Sequence, residues 1–455
     1  MHLPAVSAAD DLARVIFPMQ TPTPPGNPFF HRGPVRDPAY FFGREREIRF
    51  AVDLLRQGQH VSITGARRLG KTSLLFHLAH PTVAAAHELG PDRVRWVYLD
   101  GGALDGLDEE WLYGSIDRAL GGENDVATYA RFVERLRQLA AQNMHLILAL
   151  DEFELVAANP CFGPALFNRL RGLAAQFPLQ FVTASKDPLL ELTFAHRETL
   201  SSPFFNIFSP LRLTLWSEAE AREFLSVLSA RAGCPFSEGA VAFLLELAGP
   251  HPLFLQVAAY RAFAILTSHC AGGELDAHAR ALVRAETCAD LEQHLRYYWN
   301  NLDPDAQYTL AALPMLNLQL SGQGQSPAIE RLEVAALLRG SSYLGGALHD
   351  FVRRQNVAGL LQGGPFLMDV RRGLVAVYGK QVHLTPTEFA ALKLFLERPG
   401  QVLAPEDIES VLWPGEYAPD PERARGVVKK LRAALGPAGD AIANRRGQGY
   451  LLVLD

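Results

Sequence analysis

One stretch of the 455-residue chain places residue types at a spacing suited to phosphate chemistry: Val61 to Ser73, VSITGARRLGKTS. Gly65, Gly70, Lys71 and Thr72 satisfy G-x-x-x-x-G-K-[ST], a loop whose backbone N–H groups can wrap the β- and γ-phosphates of a nucleotide. Gly65 and Gly70 allow backbone angles and a close approach that a side chain would obstruct. Ala66, Arg67, Arg68 and Leu69 lie between them and Ser73 follows, so the whole run from Gly65 to Ser73 is expected to line the cradle. Lys71 would reach the β/γ oxygens as a point charge, and the Thr72 hydroxyl would coordinate Mg²⁺. The second candidate group is HLILALDE, His145 to Glu152. An apolar run of strand length ending in two carboxylates reads as a buried parallel strand whose carboxyl end faces a site. Asp151 would hold Mg²⁺ through water, and Glu152 would act as general base on an attacking water.

These groups need a sheet and helices to hold them. Val61 and Ile63 precede the loop as a strand, and Leu74, Leu75 and Leu78 give the following helix an apolar face, its positive dipole end toward the phosphates. Arg93 to Leu99, Leu179 to Ala184 and Leu211 to Leu215 read as further strands. Strands alternating with helical patterns imply a parallel sheet covered on both faces. Ser185 and Lys186 stand at the end of one strand, where a polar side chain could sense the γ-phosphate or simply solvate the strand end. Ahead of the loop, Tyr40-Phe41-Phe42-Gly43-Arg44-Glu45 leads into an amphipathic helix from Glu47 to Gln57. It would suit a lid over a base or, alternatively, a helix cap with a hydrophobic staple. Arg169 and Arg171 lie on a helix after the acidic strand, as an arginine finger for a neighbouring subunit or as a solvated face.

From Ser217 to about Leu295 the pattern is wholly helical, opening on a capping box of Ser217 and Glu220. The turn Gly249-Pro250-His251-Pro252 breaks it sharply, and such a turn could press on a nucleotide from the side opposite the phosphate loop. Residues 18–38 are rich in Pro and turn formers and should be extended. Between 296 and 370 the pattern gives a helix, a second one started by Asp303-Pro304, a loop at Ser321 to Ser326, and a helix running into a strand in HDFVRRQNVAGLL.

The net charge is −6, yet the last 85 residues carry 12 Lys/Arg against 10 Asp/Glu, so an acidic body precedes a basic tail. Cys161, Cys234, Cys270 and Cys288 lack the spacing of a zinc site or disulfide framework. They fit reduced thiols in a cytoplasmic protein. Neither a signal peptide nor a membrane-spanning helix is expected.

In the tail, GLVAVYGKQVHL gives short strands turning at Gly379-Lys380, and Thr385, Pro386 and Glu388 cap the first of two helices. A third helix spans about Pro421 to Leu435, followed by a hairpin at Gly447-Gln448-Gly449. On that helix Val428, Leu431 and Leu435 recur at helical spacing and should face the core. Arg423, Arg425, Lys429, Lys430 and Arg432 fall largely on other faces, joined by Arg445 and Arg446 of the hairpin. A basic helix with a basic hairpin tip fits a helix in the major groove and a wing on the adjacent backbone.

Five motifs, FFGRERE, GARRLGKTS, LALDE, SPFFNIF and GPHPLFLQ, in this order, resemble the STAND branch of the AAA+ ATPases over roughly residues 27–300. The resemblance implies ATP/ADP and Mg²⁺ as ligands, Gly43 and Arg44 beside the base, and Pro252 in contact with nucleotide. It also implies a switch that holds ADP when closed and assembles with ATP and a trigger. Many members have an Arg where this chain has Ser185, which implies slow hydrolysis. The LTPTEF run, the Leu412-Trp413 pair, the LR-x-x-L helix and the RGxGY segment from Arg446 to Tyr450 resemble the OmpR-type winged-helix DNA-binding domain over about 371–455.

The expected architecture is an α/β P-loop NTPase (parallel sheet, AAA+/STAND-like) with a helical lid, followed by two winged-helix domains. The divisions are 1–38, 39–215, 216–295, 296–370 and 371–455, with 296–370 an internal packing module. The expected function is an ATP-hydrolysing switch that couples nucleotide state to double-stranded DNA and regulates transcription, self-associating on ATP and answering an upstream trigger. The alternatives are a defence or mobile-element ATPase that senses foreign DNA, and a switch whose winged helix docks protein.

Overall fold

The computed structural model describes residues 26–29, 33–189, 192, 203–269, 273–316, 326–415 and 420–454. They fall into two units, Met1–Thr287 and Cys288–Asp455. Most of the expected extended segment 1–38, and the loop expected at Ser321 to Ser326 save its last residue, lie outside the described residues.

The first unit contains α1 (Glu45–Arg56), β1 (His60–Thr64), α2 (Lys71–Ala79), α3 (Pro81–Ala86), β2 (Val94–Asp100), α4 (Glu109–Ala119), α5 (Tyr129–Ala141), β3 (His145–Asp151), α6 (Phe153–Ala158), α7 (Pro164–Gln176), β4 (Leu179–Ser185) and β5 (Phe208–Arg212). The strands form one parallel sheet in the order β2-β3-β4-β1-β5. β3 and β4 are near-continuous apolar runs and are buried almost throughout, as strands covered on both faces must be. Because every strand points the same way, the loop after β1 and the acidic end of β3 share one edge, with β4 between them.

The expected strand Leu211–Leu215 is instead Phe208–Arg212. β1 offers a ladder only from His60 to Thr64, which pairs with Phe208 through Arg212. After one further bond, Leu213 N to Thr64 O at 2.7 Å, the chain leaves the sheet. The SPFFNIF motif is a core plug: Phe204 and Phe205 are buried with ring centroids 5.5 and 5.4 Å from that of Phe167.

The lid helices follow as α8 (Glu218–Arg231), α9 (Glu238–Ala248), α10 (Pro252–His269) and α11 (Ala277–Asn300). The Ser217–Glu220 capping box forms as the sequence requires. α11 runs on past residue 295, so no break separates lid from module there. Phe29 inserts among Phe224, Phe236 and Phe263, at 5.4, 5.5 and 6.0 Å. Farther along, Val35 N donates to Ser73 Oγ at 2.9 Å, Arg36 lies over the Phe76 ring and Phe41 stacks on His77 at 4.1 Å. The segment before α1 is thus a strap that touches both the lid and the phosphate-loop helix.

The second unit continues with α12 (Pro304–Ala312), α13 (Pro327–Val334), β6 (Leu338–Arg339), β7 (Ser342–Tyr343), α14 (Gly346–Val352), β8 (Leu360–Gly363), β9 (Phe366–Asp369), β10 (Leu374–Val377) and β11 (Lys380–Val382). It closes with α15 (Pro386–Glu397), α16 (Pro405–Leu412), α17 (Pro421–Ala434), β12 (Ile442–Arg445) and β13 (Gly449–Leu452). β8 to β11 make one antiparallel sheet that crosses the division expected at 370/371, with Leu374 paired to Asp369. β8 and β9 therefore go with the C-terminal domain. The turn between β10 and β11 is Tyr378-Gly379, one residue before the expected Gly379-Lys380. Val377 pairs with Lys380, and both turn residues have positive φ, 48° and 75°, as a tight hairpin of this type demands.

Phe366, Met368 and Val375 of this sheet pack with Leu392, Phe395, Val428, Leu431 and Leu435 in a single core. The α12 module is tied to it. Tyr308 Oη donates to the buried Asp369 carboxylate, and the Arg371 and Arg372 guanidinium groups lie 4.9 and 5.6 Å from the Tyr308 ring centre. No helix among the described residues is long and apolar enough to cross a membrane.

Candidate nucleotide site and candidate nucleic-acid interface

β1 is pinned between β4 and β5, so its last residue Thr64 delivers the loop at a fixed height. Gly65 turns out of the strand at φ 152°, where a Cβ would stand 2.7 Å from Leu213 O. Gly70 sits in the left-handed region at φ 95° and caps α2 without a side-chain hydrogen bond. The first N–H groups of α2, at Lys71, Thr72 and Ser73, therefore have no capping side chain and suit an anion. The Lys71 ammonium donates to Gly65 O at 2.8 Å and Ala66 O at 3.1 Å, which folds the lysine over the cradle. Burial pulls its pKa down, while Glu154, Asp151 and Asp187 act the other way.

At the end of β3, Asp151 is 4% exposed. Its Oδ2 accepts from Tyr98 Oη at 3.0 Å and its Oδ1 from Glu152 N at 3.0 Å. Two fixed donors leave the carboxylate little freedom. Glu152 lies in the left-handed region at φ 46°, a conformation costly for a non-glycine residue. Opposite it, a Cβ on Gly101 would collide with Glu152 O, and Gly101 N donates to Asp151 O at 2.9 Å. Burial raises the Glu152 pKa, and Asp100, Asp151 and Glu154 push in the same direction. A carboxylate disposed to take up a proton, with the Arg67 guanidinium as the cation acting on it, is the kind of group a general base requires. Thr72 and Asp151 offer a hydroxyl and a carboxylate, oxygen donors of the kind Mg²⁺ takes together with phosphate and water; no group of three or more His, Cys, Asp or Glu among the described residues forms a self-sufficient metal cage.

Not every expected contact goes to the cradle. Ser73 is buried and accepts from Val35 N, so its hydroxyl anchors the strap. Ser185 pairs in register with Thr64 but is fully buried, and its hydroxyl donates to Asp187 O at 2.7 Å. Arg67 and Arg68 are exposed on the loop, Arg68 at φ 64°, whereas Leu69 is buried and turns its carbonyl to Arg44.

Arg44 is 3% exposed. Its guanidinium donates to Leu69 O at 3.2 Å and Thr214 O at 2.7 Å and pairs with Glu47 at 3.1 Å, while its own N–H donates to Glu220 Oε1 at 2.7 Å. Gly43, at φ 66°, has Glu220 where its Cβ would be. The Gly43-Arg44 turn thus joins the phosphate loop to the first lid helix. Pro252 opens α10, and its turn is tied to the linker by Trp216 N donating to Pro250 O at 3.1 Å. Arg169 is paired with Glu109 and lies over the Tyr129 ring, and Arg171 is exposed.

Sequence reasoning missed Tyr98, Asp100, Glu154, Asp187 and the second role of Glu220. Asp100 was within reach: it ends an apolar strand next to β3, in register with Asp151, with its Oδ1 accepting from Gly102 N at 2.9 Å. Glu154 and Asp187 lie on loops and helix starts that no periodicity marks.

In the second unit, α17 buries Ala424, Val428 and Leu431, the capping residue Leu435 is buried after them, and the opposite face of the helix is solvent-exposed. Not all of its cations are equally available. Arg423 stacks over Trp413 at 4.1 Å, Arg425 pairs with Glu422, and Arg432 approaches Asp440 at 3.4 Å. Lys429, Lys430, Arg445 and Arg446 are exposed, and none of them carries an ion pair among the described residues. Glu409 on α16, 5% exposed, accepts from Asp420 N at 2.5 Å and so fixes the start of α17. The hairpin is clamped to the domain by Leu403 and Tyr450, which exchange backbone hydrogen bonds at 2.7 and 2.9 Å.

Comparison with known proteins separates the same two regions. Residues 121–310 match the family described as Novel STAND NTPase 2, and residues 379–452 match Transcriptional regulatory protein, C terminal. The first match begins beyond the phosphate loop and includes the acidic strand. The sensory transduction protein RegX3 of Mycolicibacterium smegmatis is 33% identical over 97 residues, 21% of this chain and 42% of that protein. The DNA-binding dual master transcriptional regulator RpaA of Synechocystis is 35% identical over 98 residues, 21% of this chain and 41% of that protein. The chain thus spans less than half the length of these curated relatives. The Walker-type ATPase PABY2304 of Pyrococcus abyssi shares the fold, with a TM-score of 0.51 and 16% identity over 71% of this chain and 99% of that one. One chain therefore resembles a STAND NTPase family over residues 121–310 and the C-terminal part of transcriptional regulatory proteins over residues 379–452.

Proposed function

We propose that the protein is an ATP-dependent switch whose nucleotide state governs binding to double-stranded DNA, and that it acts in transcription regulation. The observation that carries this reading is the coexistence, in one chain, of the Lys71–Asp151–Glu152 constellation and an exposed basic helix with a basic hairpin. The reaction is ATP and water to ADP and phosphate. Lys71 would leave the Gly65 and Ala66 carbonyls for the β/γ oxygens, and the free N–H groups at the start of α2 would orient the phosphates. Mg²⁺, when bound, neutralises phosphate charge, and Thr72 with Asp151 would hold it. Glu152 would take the proton of the attacking water. Ser185 bonded to Asp187 O rather than open to the cradle supports a slow, switch-like turnover.

The Gly43-Arg44 turn supports a route from nucleotide to lid. Any movement of Leu69 alters an Arg44 bond, and Arg44 in turn holds Glu220 at the start of α8. The segment from α12 to α14 would be an internal winged-helix-like packing module, since Arg354 pairs with Glu292 and Tyr308 with Asp369 inside the unit. Duplex DNA would be met by Lys429, Lys430, Arg445 and Arg446, with self-association on ATP raising avidity. A reducing cytoplasm is the setting this reading implies.

The test is duplex-binding anisotropy with ADP, with ATP·Mg²⁺, and with the Glu152→Gln variant, at two salt concentrations. Tighter, salt-sensitive binding with ATP, retained by the variant, is expected. Equal binding in every nucleotide state would end the coupling reading.

A further inference from the structure

α17 carries a glycine that its own fold does not require. Gly426 lies in the helix interior, is exposed, and a Cβ added there would meet nothing within 4 Å. Its φ lies outside the left-handed region, so any residue could adopt its backbone. A helix interior disfavours glycine against almost every alternative. Inside α4 the packing explains such a residue, since a Cβ on Gly114 would collide with Asp125 O; inside α7 Gly172, like Gly426, has nothing within 4 Å, but it is not set among exposed cations on a basic face. Nothing inside this unit explains Gly426.

What surrounds it is positive charge. Arg423 precedes it by three residues, and Lys429 and Lys430 follow by three and four, so all four positions share the exposed face. We infer that Gly426 is a close-approach position for duplex DNA: its missing side chain lets α17 settle against the base edges of the major groove while Lys429 and Lys430 engage the backbone on either side. The inference rests on the DNA-binding reading and adds to it a positioning residue that carries no charge and makes no contact of its own. An α-helix fits the major groove with little room to spare, and a side chain at its centre sets how deeply it enters. A glycine there favours recognition at the cost of helix stability.

The experiment uses the full chain and two probes: a duplex enriched by the wild-type protein from a randomised pool, and the unselected pool itself. Gly426→Ala should raise the thermal midpoint of the C-terminal unit and weaken binding to the selected duplex about tenfold, with affinity for the unselected pool unchanged. Gly426→Leu should lose more. Gly172→Ala on α7, where a Cβ would likewise meet nothing within 4 Å, should leave both affinities as in the wild type. Wild-type affinity for the selected duplex in Gly426→Ala, with loss in a Lys429→Ala/Lys430→Ala variant, would overturn the inference and leave the DNA reading standing. Unchanged affinity in both variants would overturn both.

Discussion

The two candidate sites are built on opposite principles. At the nucleotide site Asp151 and Arg44 are buried and Lys71 is half-buried, each held by neighbouring groups: Lys71 on two loop carbonyls, Asp151 on a tyrosine and an amide, Arg44 on two carbonyls and a carboxylate. At the basic face of α17 the charges stand in water, and three of its five cations, Arg423, Arg425 and Arg432, have an intramolecular contact. A buried charge stripped of its partner has no solvent to replace it. An exposed charge has, so the nucleotide site should respond to substitution as a unit and the basic face by degrees.

The largest effect that could break this contrast is at Lys71. Lys71→Ala should abolish nucleotide binding by isothermal titration, and Glu152→Gln should leave binding intact while turnover falls by about a hundredfold or more. Turnover that persists in Glu152→Gln would remove that residue from the base role. Graded loss in Lys71→Ala, with binding merely weakened, would erase the difference between the two sites.

The middle case is the basic face. Lys429→Ala and Lys430→Ala should each weaken duplex binding and lower the salt-dependence slope by roughly one. Arg425→Ala and Arg432→Ala should do less, because Glu422 and Asp440 already screen those guanidinium groups. Equal slopes for all four variants would mean that the Arg425–Glu422 and Arg432–Asp440 pairs do not persist in solution, as surface ion pairs commonly do not.

How much of this could be read from the sequence follows the same divide. The phosphate loop, the acidic strand end and both capping boxes are local patterns, and the chain folds them where they were expected. The burial of Val428, Leu431 and Leu435 was likewise fixed by helical period. What escaped were partnerships between distant segments. Ser185 looked open at a strand end because nothing in its neighbourhood announces that the chain bends so that Asp187 O takes its hydroxyl. The sheet that crosses residue 370 escaped for a related reason: four strands of three or four residues are too short for alternation to tell which neighbours they join. The resemblance implies Arg44 beside a base; its partners in the fold, Leu69 O, Thr214 O, Glu47 and Glu220, come from segments that no local pattern links to it.

The smallest effect concerns acid, and it sharpens the contrast by titrating buried groups on the nucleotide side. His77 on the phosphate-loop helix is stacked against Phe41, and burial, with help from His80 and His87, lowers its pKa to about 4. Burial alone does the same to His60, also to about 4, where its Nδ1 accepts from Phe181 N at 3.1 Å. Both rings are neutral in the folded chain and would charge near pH 6.5 once unfolded. Between pH 6.5 and 4 the unfolded state therefore binds more protons, so stability is full above that window and declines as the pH falls through it. His77→Phe keeps a ring against Phe41 and removes one titrating group, so the midpoint of urea unfolding should fall less steeply across that window than in the wild type. An identical slope in the variant would show that His77 is already protonated in the folded state, with its ring open to water rather than sealed beneath the strap.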